Sequence, residues 1–83
     1  MRTPTPMNTE QARQLEHLWA LSPSEARLTA AIANGLSLVE AAEELGLTTE
    51  TARNYSKRVY AKTGARGMAD LVRLALTSVA VLA

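Results

Sequence analysis

Three polar side chains in the second half of this chain have the spacing of a shared helix face: Arg53, Asn54 and Lys57. On a helix each residue turns by about 100°, so positions one and four apart stay within one broad stripe. Their chemistry is donor-rich. Arg and Lys donate to guanine O6 and N7, and Asn pairs with adenine N6 and N7, so the trio suits base edges in a major groove. Thr49, Thr51 and the free amides of the same helix's first turn have the chemistry to hold phosphates. Arg58 and Lys62 lie on the flanks, and Tyr55 offers a hydroxyl on a half-apolar body.

Other polar residues carry simpler readings. Glu25 follows Ser22 at capping-box spacing, which explains a carboxylate there without catalysis. His17, the single histidine, sits among polar neighbours and reads as a solvated helix position. Arg66 has two readings, a phosphate contact or a cap on the carbonyl end of the preceding helix. No nucleophile–base pair and no metal-ligand spacing stands out, so neither an enzyme nor a cofactor or metal site is expected.

The elements that position these residues are helices. The chain has 83 residues and no Cys, so neither disulfides nor thiolate-held zinc can staple it. Its 47% apolar residues are mainly Ala, Leu and Val, with no Phe, which favours close-packed helices over strands. The sequence therefore predicts an all-α domain. A first helix is expected from about Thr9 to Ala20, capped by Asn8, with Leu15, Leu18 and Trp19 on its apolar face. A second starts at the Ser22-Pro23-Ser24-Glu25 box, turns Leu28, Ala31 and Ile32 inward, and ends at Asn34-Gly35. A third starts at the Ser37/Glu40 box and stops at Gly46. A fourth runs from Thr48 or Thr49 to Thr63, before Gly64. A fifth covers Met68 to about Ala80.

Only Gly46-Leu47-Thr48 joins the third and fourth helices, and so short a turn throws the second steeply across the first. Ala42, four residues before Gly46, leaves room at the crossing. Ala52, six residues after it, faces the core. Small residue, three spacers, Gly and a later apolar position form a helix-turn-helix pattern. On the fourth helix Ala52, Ser56, Val59 and Thr63 then line the core side, and Glu50, Arg53, Asn54, Lys57 and Ala61 the exposed side. Charge is sorted accordingly. Net charge is +1, yet Ala52 to Ala69 carries Arg53, Lys57, Arg58, Lys62 and Arg66 without a carboxylate. Leu38 to Glu50 carries four glutamates, Glu40, Glu43, Glu44 and Glu50, without a base.

From Leu21 to Leu76 the sequence resembles the four-helix DNA-binding domain of LuxR-type (NarL/FixJ-type) bacterial transcription regulators. The resemblance rests on Leu21 with Glu25, Ala33 with Gly35 and Ser37, Glu40 with Ala42, Leu45 with Leu47, Thr51 with Arg53, Val59, Lys62, Gly64, and Leu71 with Val72. It implies a LuxR-like helix-turn-helix domain over 21–83; the helix expected over 8–20 is an addition to that domain, after a segment 1–7 whose Pro/Thr-rich composition reads as disordered. It implies that Arg53, Asn54 and Lys57 face bases and that Thr51, Tyr55 and Lys62 serve the backbone. Thr49 and Arg58 join the phosphate-contacting set. Implied partners are double-stranded DNA and, beyond it, RNA polymerase or a sensor domain. The sequence departs from the family at Leu38-Val39, where a polar pair is usual, and at Ala52, Tyr55 and Thr63, which replace Val, His and Leu.

The fifth helix holds more apolar residues than one stripe can hide. Met68, Leu71, Val72 and Ala75 form the inward stripe; Leu74, Leu76, Val79 and Leu82 form the surplus. This predicts a homodimer through that helix, the alternative being that the first helix covers the surplus. The first residues, MRTPTPM, lack the apolar core of a secretory signal, and the C-terminal LVRLALTSVAVLA is short of the ~20 residues of a membrane span. The expectation is a cytoplasmic protein without membrane contact. Two other functions share the pattern: a sigma-factor-like promoter-reading domain, and a degenerate helix-turn-helix used for protein interaction or dimerisation.

Overall fold

The computed structural model describes the backbone of residues 9–82 and the side chains of residues 10–78. Five helices follow in order: α1 (Thr9–Trp19), α2 (Pro23–Ala33), α3 (Leu38–Leu45), α4 (Thr49–Thr63) and α5 (Met68–Leu82). There is no strand among the described residues, so the all-α expectation holds. The expected Asn8 cap and the segment 1–7 lie outside the described residues.

Local side-chain chemistry sets most of the boundaries. In α2, Ser22 Oγ accepts from the Glu25 amide at 3.1 Å, and the Ser22 amide donates to Glu25 Oε1 at 2.9 Å. Pro23 takes the first helical position, where its missing N–H leaves nothing unpaired. α3 repeats the device with Ser37 and Glu40, at 3.1 and 2.8 Å. Each box satisfies two amides that a helix start otherwise leaves open, contributing about 1 kcal/mol.

The turn between α3 and α4 needs Gly46. Its φ of +72° lies in the left-handed region, where a side chain costs about 1–2 kcal/mol. That conformation lets the Leu47 amide reach back to the Ala42 carbonyl at 2.8 Å. α1 closes in the same way without a glycine. Ala20 adopts φ +56°, and the Leu21 amide donates to the Glu16 carbonyl at 3.0 Å.

α2 is the hub and packs against each of the other four helices. It is buried on nearly all sides, including Ala26, Thr29 and Ala30, beyond the one face read from periodicity. The buried Thr29 hydroxyl donates to the Glu25 carbonyl at 2.9 Å, so it leaves no open donor. One core cluster joins Leu15, Leu21, Ala26, Val59, Ala65, Leu71 and Ala75. The other joins Leu28, Ala31, Ile32, Ala41, Ala42 and Ala52, with Leu45 and Leu47 against it under the turn. Ala42 and Ala52 are fully buried, as expected where α3 and α4 cross.

Two apolar expectations are corrected. Leu18 is 44% exposed; the buried face of α1 is Ala12 and Leu15 with Trp19 at its edge, and Leu18 is rotated off it. Leu74 is half-buried against the first cluster, so it flanks the core and is not wholly surplus. α5 also runs two residues past the expected Ala80, to Leu82.

Candidate nucleic-acid interface

The two-sided pattern expected for α4 holds. Ala52, Ser56 and Val59 are buried and Thr63 is partly so. Ser56 fits the core because its hydroxyl donates to the Arg53 carbonyl at 2.7 Å. Glu50, Arg53, Asn54, Lys57 and Ala61 are all exposed on the other side. The side chains of Arg53, Asn54 and Lys57 engage no hydrogen bond or ion pair among the described residues. Three donors thus stand free on one face of the second helix of a helix-turn-helix.

The residues expected at phosphates divide into two groups. Thr48 caps α4 by accepting from the Thr51 amide at 3.1 Å, and its hydroxyl donates to Thr51 Oγ1 at 2.9 Å. Thr51 keeps its own hydroxyl proton to give outward, and Thr49 lies half-buried beside it. Tyr55 packs half-buried on the second core cluster. The Arg58 guanidinium stands 5.9 Å from the centre of its ring, within cation–π range. That contact steadies Arg58 while leaving its donors in solvent.

Lys62 departs from expectation. Its ammonium donates to Glu25 Oε1 at 2.7 Å and to the Ala20 carbonyl at 3.2 Å. The same ammonium expected at DNA phosphate ties the end of α4 to the start of α2 and to the carbonyl just past α1. Glu25 therefore does two jobs, since one carboxylate caps α2 and neutralises Lys62. Its side chain is only 4% exposed, against 38% for Lys62. Burial opposes the charge of Glu25. The Lys62 hydrogen bond, the Ser22 amide and the positive charges of Lys62 and Arg58 outweigh it and hold the carboxyl below its ordinary value. Sequence reasoning missed this pair because a local role already accounted for Glu25; the remaining signal was a carboxylate directly beside the apolar Ala26 and Leu28 of α2.

Arg66 does not take the capping one of its two readings. Its amide donates to Asp70 Oδ2 at 3.0 Å, and Asp70 pairs with Arg73 at 2.6 Å. The Arg73 hydrogen bond, with the Arg66 amide, holds the Asp70 carboxyl below its ordinary value. α4 is closed instead by the Gly64 amide on the Tyr60 carbonyl. On α5, Leu76 is 48% exposed. The side chains of Val79 and Leu82, the other expected interface residues, lie outside the described ones. Among the described residues no group of His, Cys, Asp or Glu is placed to hold a metal, and no helix is long and apolar enough to cross a membrane.

Comparison with known proteins agrees with this geometry. The family model described as "Bacterial regulatory proteins, luxR family" matches residues 20–75, which contain α2, α3 and α4 and much of α5. The chain is 45% identical over 47 residues to "Probable HTH-type transcriptional regulator GfsR" of Streptomyces halstedii. The match covers 57% of this chain and 19% of that protein, so the chain corresponds to a small part of its relative. No solved structure matches the chain. With a helix-turn-helix at its centre and the family match spanning it, the chain belongs to the luxR family of bacterial regulatory proteins, as a domain for DNA-binding transcription regulation.

Proposed function

We propose that α4 enters the DNA major groove and reads sequence through Arg53, Asn54 and Lys57, with Thr49, Thr51, Tyr55 and Arg58 on the flanking phosphates. The observation that carries this is the exposed, unpaired state of the three base-facing donors on one face of α4. Phosphate contacts supply most of the affinity, and base contacts supply the discrimination. Lys62 drops out of the phosphate set, because its ammonium is already engaged by Glu25. The domain acts as a cytoplasmic binding module without catalysis. It dimerises through the outer side of α5, with Leu76, Val79 and Leu82 in the contact, and so reads two half-sites about one helical turn apart. In a longer regulator, a sensor domain or RNA polymerase is its further partner.

A gel-shift titration against specific and random DNA tests the assignment. Arg53→Ala and Lys57→Ala each lose about 1–3 kcal/mol of sequence discrimination. Removing a cation that meets phosphate also lowers the slope of log K against log salt by about 0.9. Arg58→Ala shows that change, and Lys62→Met keeps the wild-type slope. Wild-type selectivity in both the Arg53 and Lys57 variants would refute the base-reading roles.

The exposed Val39, at 51%, beside Glu40, Glu43 and Glu44 on α3, favours a second reading as a protein-interaction module. Under that reading the chain shows no salt-dependent affinity for duplex DNA at all.

A further inference from the structure

Among the described residues three helices begin on a hydroxyl cap, and two of them follow one rule. α2 and α3 each have glutamate at the third helical position, Glu25 and Glu40, and each carboxylate returns to the amide of its cap. α4 breaks the rule. Its third helical residue is Thr51, which pairs with Thr48 through their hydroxyls, and its glutamate stands one place earlier, at Glu50. One place is a rotation of about 100°, enough to turn the carboxylate away from the cap. The cap of α4 is complete without it.

Glu50 stands on the exposed side of α4, three residues before Arg53, four before Asn54 and seven before Lys57. It engages no hydrogen bond or ion pair among the described residues, although Arg53 is at ion-pairing spacing. It is the one carboxylate on that face, at the N-terminal end of the helix, where recognition helices meet base edges. Close to DNA such a charge is costly, since every phosphate repels it. An ionised carboxylate is also acceptor-only. It accepts from the exocyclic amino group of cytosine and meets guanine O6 and N7 with repulsion.

We propose that Glu50 is a specificity-determining residue, one that selects cytosine at its base step by accepting from N4 and by rejecting guanine. This rests on the reading of α4 as the groove helix. A first-turn glutamate acting only on the helix dipole predicts something different: a small change shared equally by all DNA sequences.

The test is selection from a random duplex pool with the wild-type chain and the Glu50→Ala, Glu50→Gln and Arg53→Ala variants, followed by titration on the enriched site and on random DNA. Glu50 is exposed, so both of its variants keep the fold, which their circular dichroism and thermal unfolding check. The wild type enriches cytosine at a position next to the one that Arg53→Ala relaxes. Glu50→Ala loses that preference by about 5- to 10-fold, the lower range for one base contact, and binds random DNA more tightly. Glu50→Gln, which gains a donor, accepts guanine at that position. If Arg53→Ala alters the selected site while both Glu50 variants select the wild-type sequence, the role of Glu50 is overturned and the groove reading stands. If the wild type enriches no sequence, the groove reading falls and takes the role of Glu50 with it.

Discussion

Replacing Lys62 by Met separates the structural use of this cation from a DNA-binding one. Met keeps most of the apolar stem and removes the ammonium, so packing is nearly conserved. What is lost is the 2.7 Å bond to Glu25 Oε1 and the 3.2 Å bond to the Ala20 carbonyl. Breaking a fully buried pair costs about 3–5 kcal/mol, and breaking an exposed one about 0–1 kcal/mol. This pair is lopsided, with the carboxylate 4% exposed and the lysine 38%. Solvent screening at the lysine brings the expected cost to about 2 kcal/mol at neutral pH. The pH dependence carries the sharper signature. In the wild type the Glu25 carboxyl lies below the 4.5 of a free glutamate. Its contribution is therefore complete above that value and is lost as pH falls through the folded one. In Lys62→Met, burial acts on Glu25 with its main counter-charge gone. The folded carboxyl is then easier to protonate, and the penalty for ionising it grows as pH rises. The two stability curves converge in acid and separate towards neutrality. Urea unfolding at several pH values between about 3 and 7 reads both effects, and Glu25→Gln with Lys62→Met closes a double-mutant cycle. Curves that stay parallel across the acid range, or a cost below about 0.5 kcal/mol at neutral pH, would show that Glu25 does not depend on Lys62.

Two further predictions concern the ends of the domain. Ala20 holds φ +56° with a side chain present. Ala20→Gly relieves about 1–2 kcal/mol of backbone strain and gives back part of it to the looser unfolded chain, a net gain of about 0.5–1 kcal/mol. Thermal unfolding reads this directly, and an unchanged or lower Tm rejects it. On α5, Leu74 and Leu76 are near in sequence and differ in burial. Leu74→Ala costs about 2 kcal/mol of folding stability, at the low end of the range for a wholly buried Leu because the side chain is only partly buried. Leu76→Ala leaves monomer stability within about 0.5 kcal/mol and weakens self-association in sedimentation. The reverse pattern would move the interface to the other side of the helix.

What was legible in the sequence shares one property: it is decided within a few residues. The boxes at Ser22/Glu25 and Ser37/Glu40 formed as expected, because a cap needs only a hydroxyl and a carboxylate three residues apart. The α3–α4 turn formed around Gly46 for the same reason, with Ala42 and Ala52 at the crossing. What was illegible is decided across the fold. Leu18 and Trp19 both fit a helical stripe, and only the positions of α2 and α5 choose between them. Leu74 reads as surplus until α5 settles beside the first core cluster. Ala20 carries no glycine to announce a left-handed residue. Glu25 and Lys62 lie 37 positions apart, and each had a satisfactory local explanation that hid the pair.

That hidden pair changes how the charge of α4 is counted. The basic stretch from Ala52 to Ala69 contains five cations, Arg53, Lys57, Arg58, Lys62 and Arg66, but they are not equivalent. Lys62 is held by Glu25 at the C-terminal end of the helix, and beside it Thr63 donates back to the Val59 carbonyl. Arg58 is steadied over Tyr55 and also contributes to the field that keeps Glu25 ionised. Arg53 and Lys57 have no hydrogen-bond or ion-pair partner among the described residues, and both precede the last turn of Thr49–Thr63, Arg53 towards its N-terminus and Lys57 just past its middle. The helix is thus divided along its length. Its last turn is bound to Glu25 of α2 and to the Ala20 carbonyl just past α1, while Arg53 and Lys57 before that turn project free side chains. A groove-reading helix needs both halves, because side chains discriminate bases only when the helix carrying them is held in a fixed orientation. A chain of net charge +1 can therefore present a basic face, since α4 carries four cations, Arg53, Lys57, Arg58 and Lys62, against one carboxylate, Glu50.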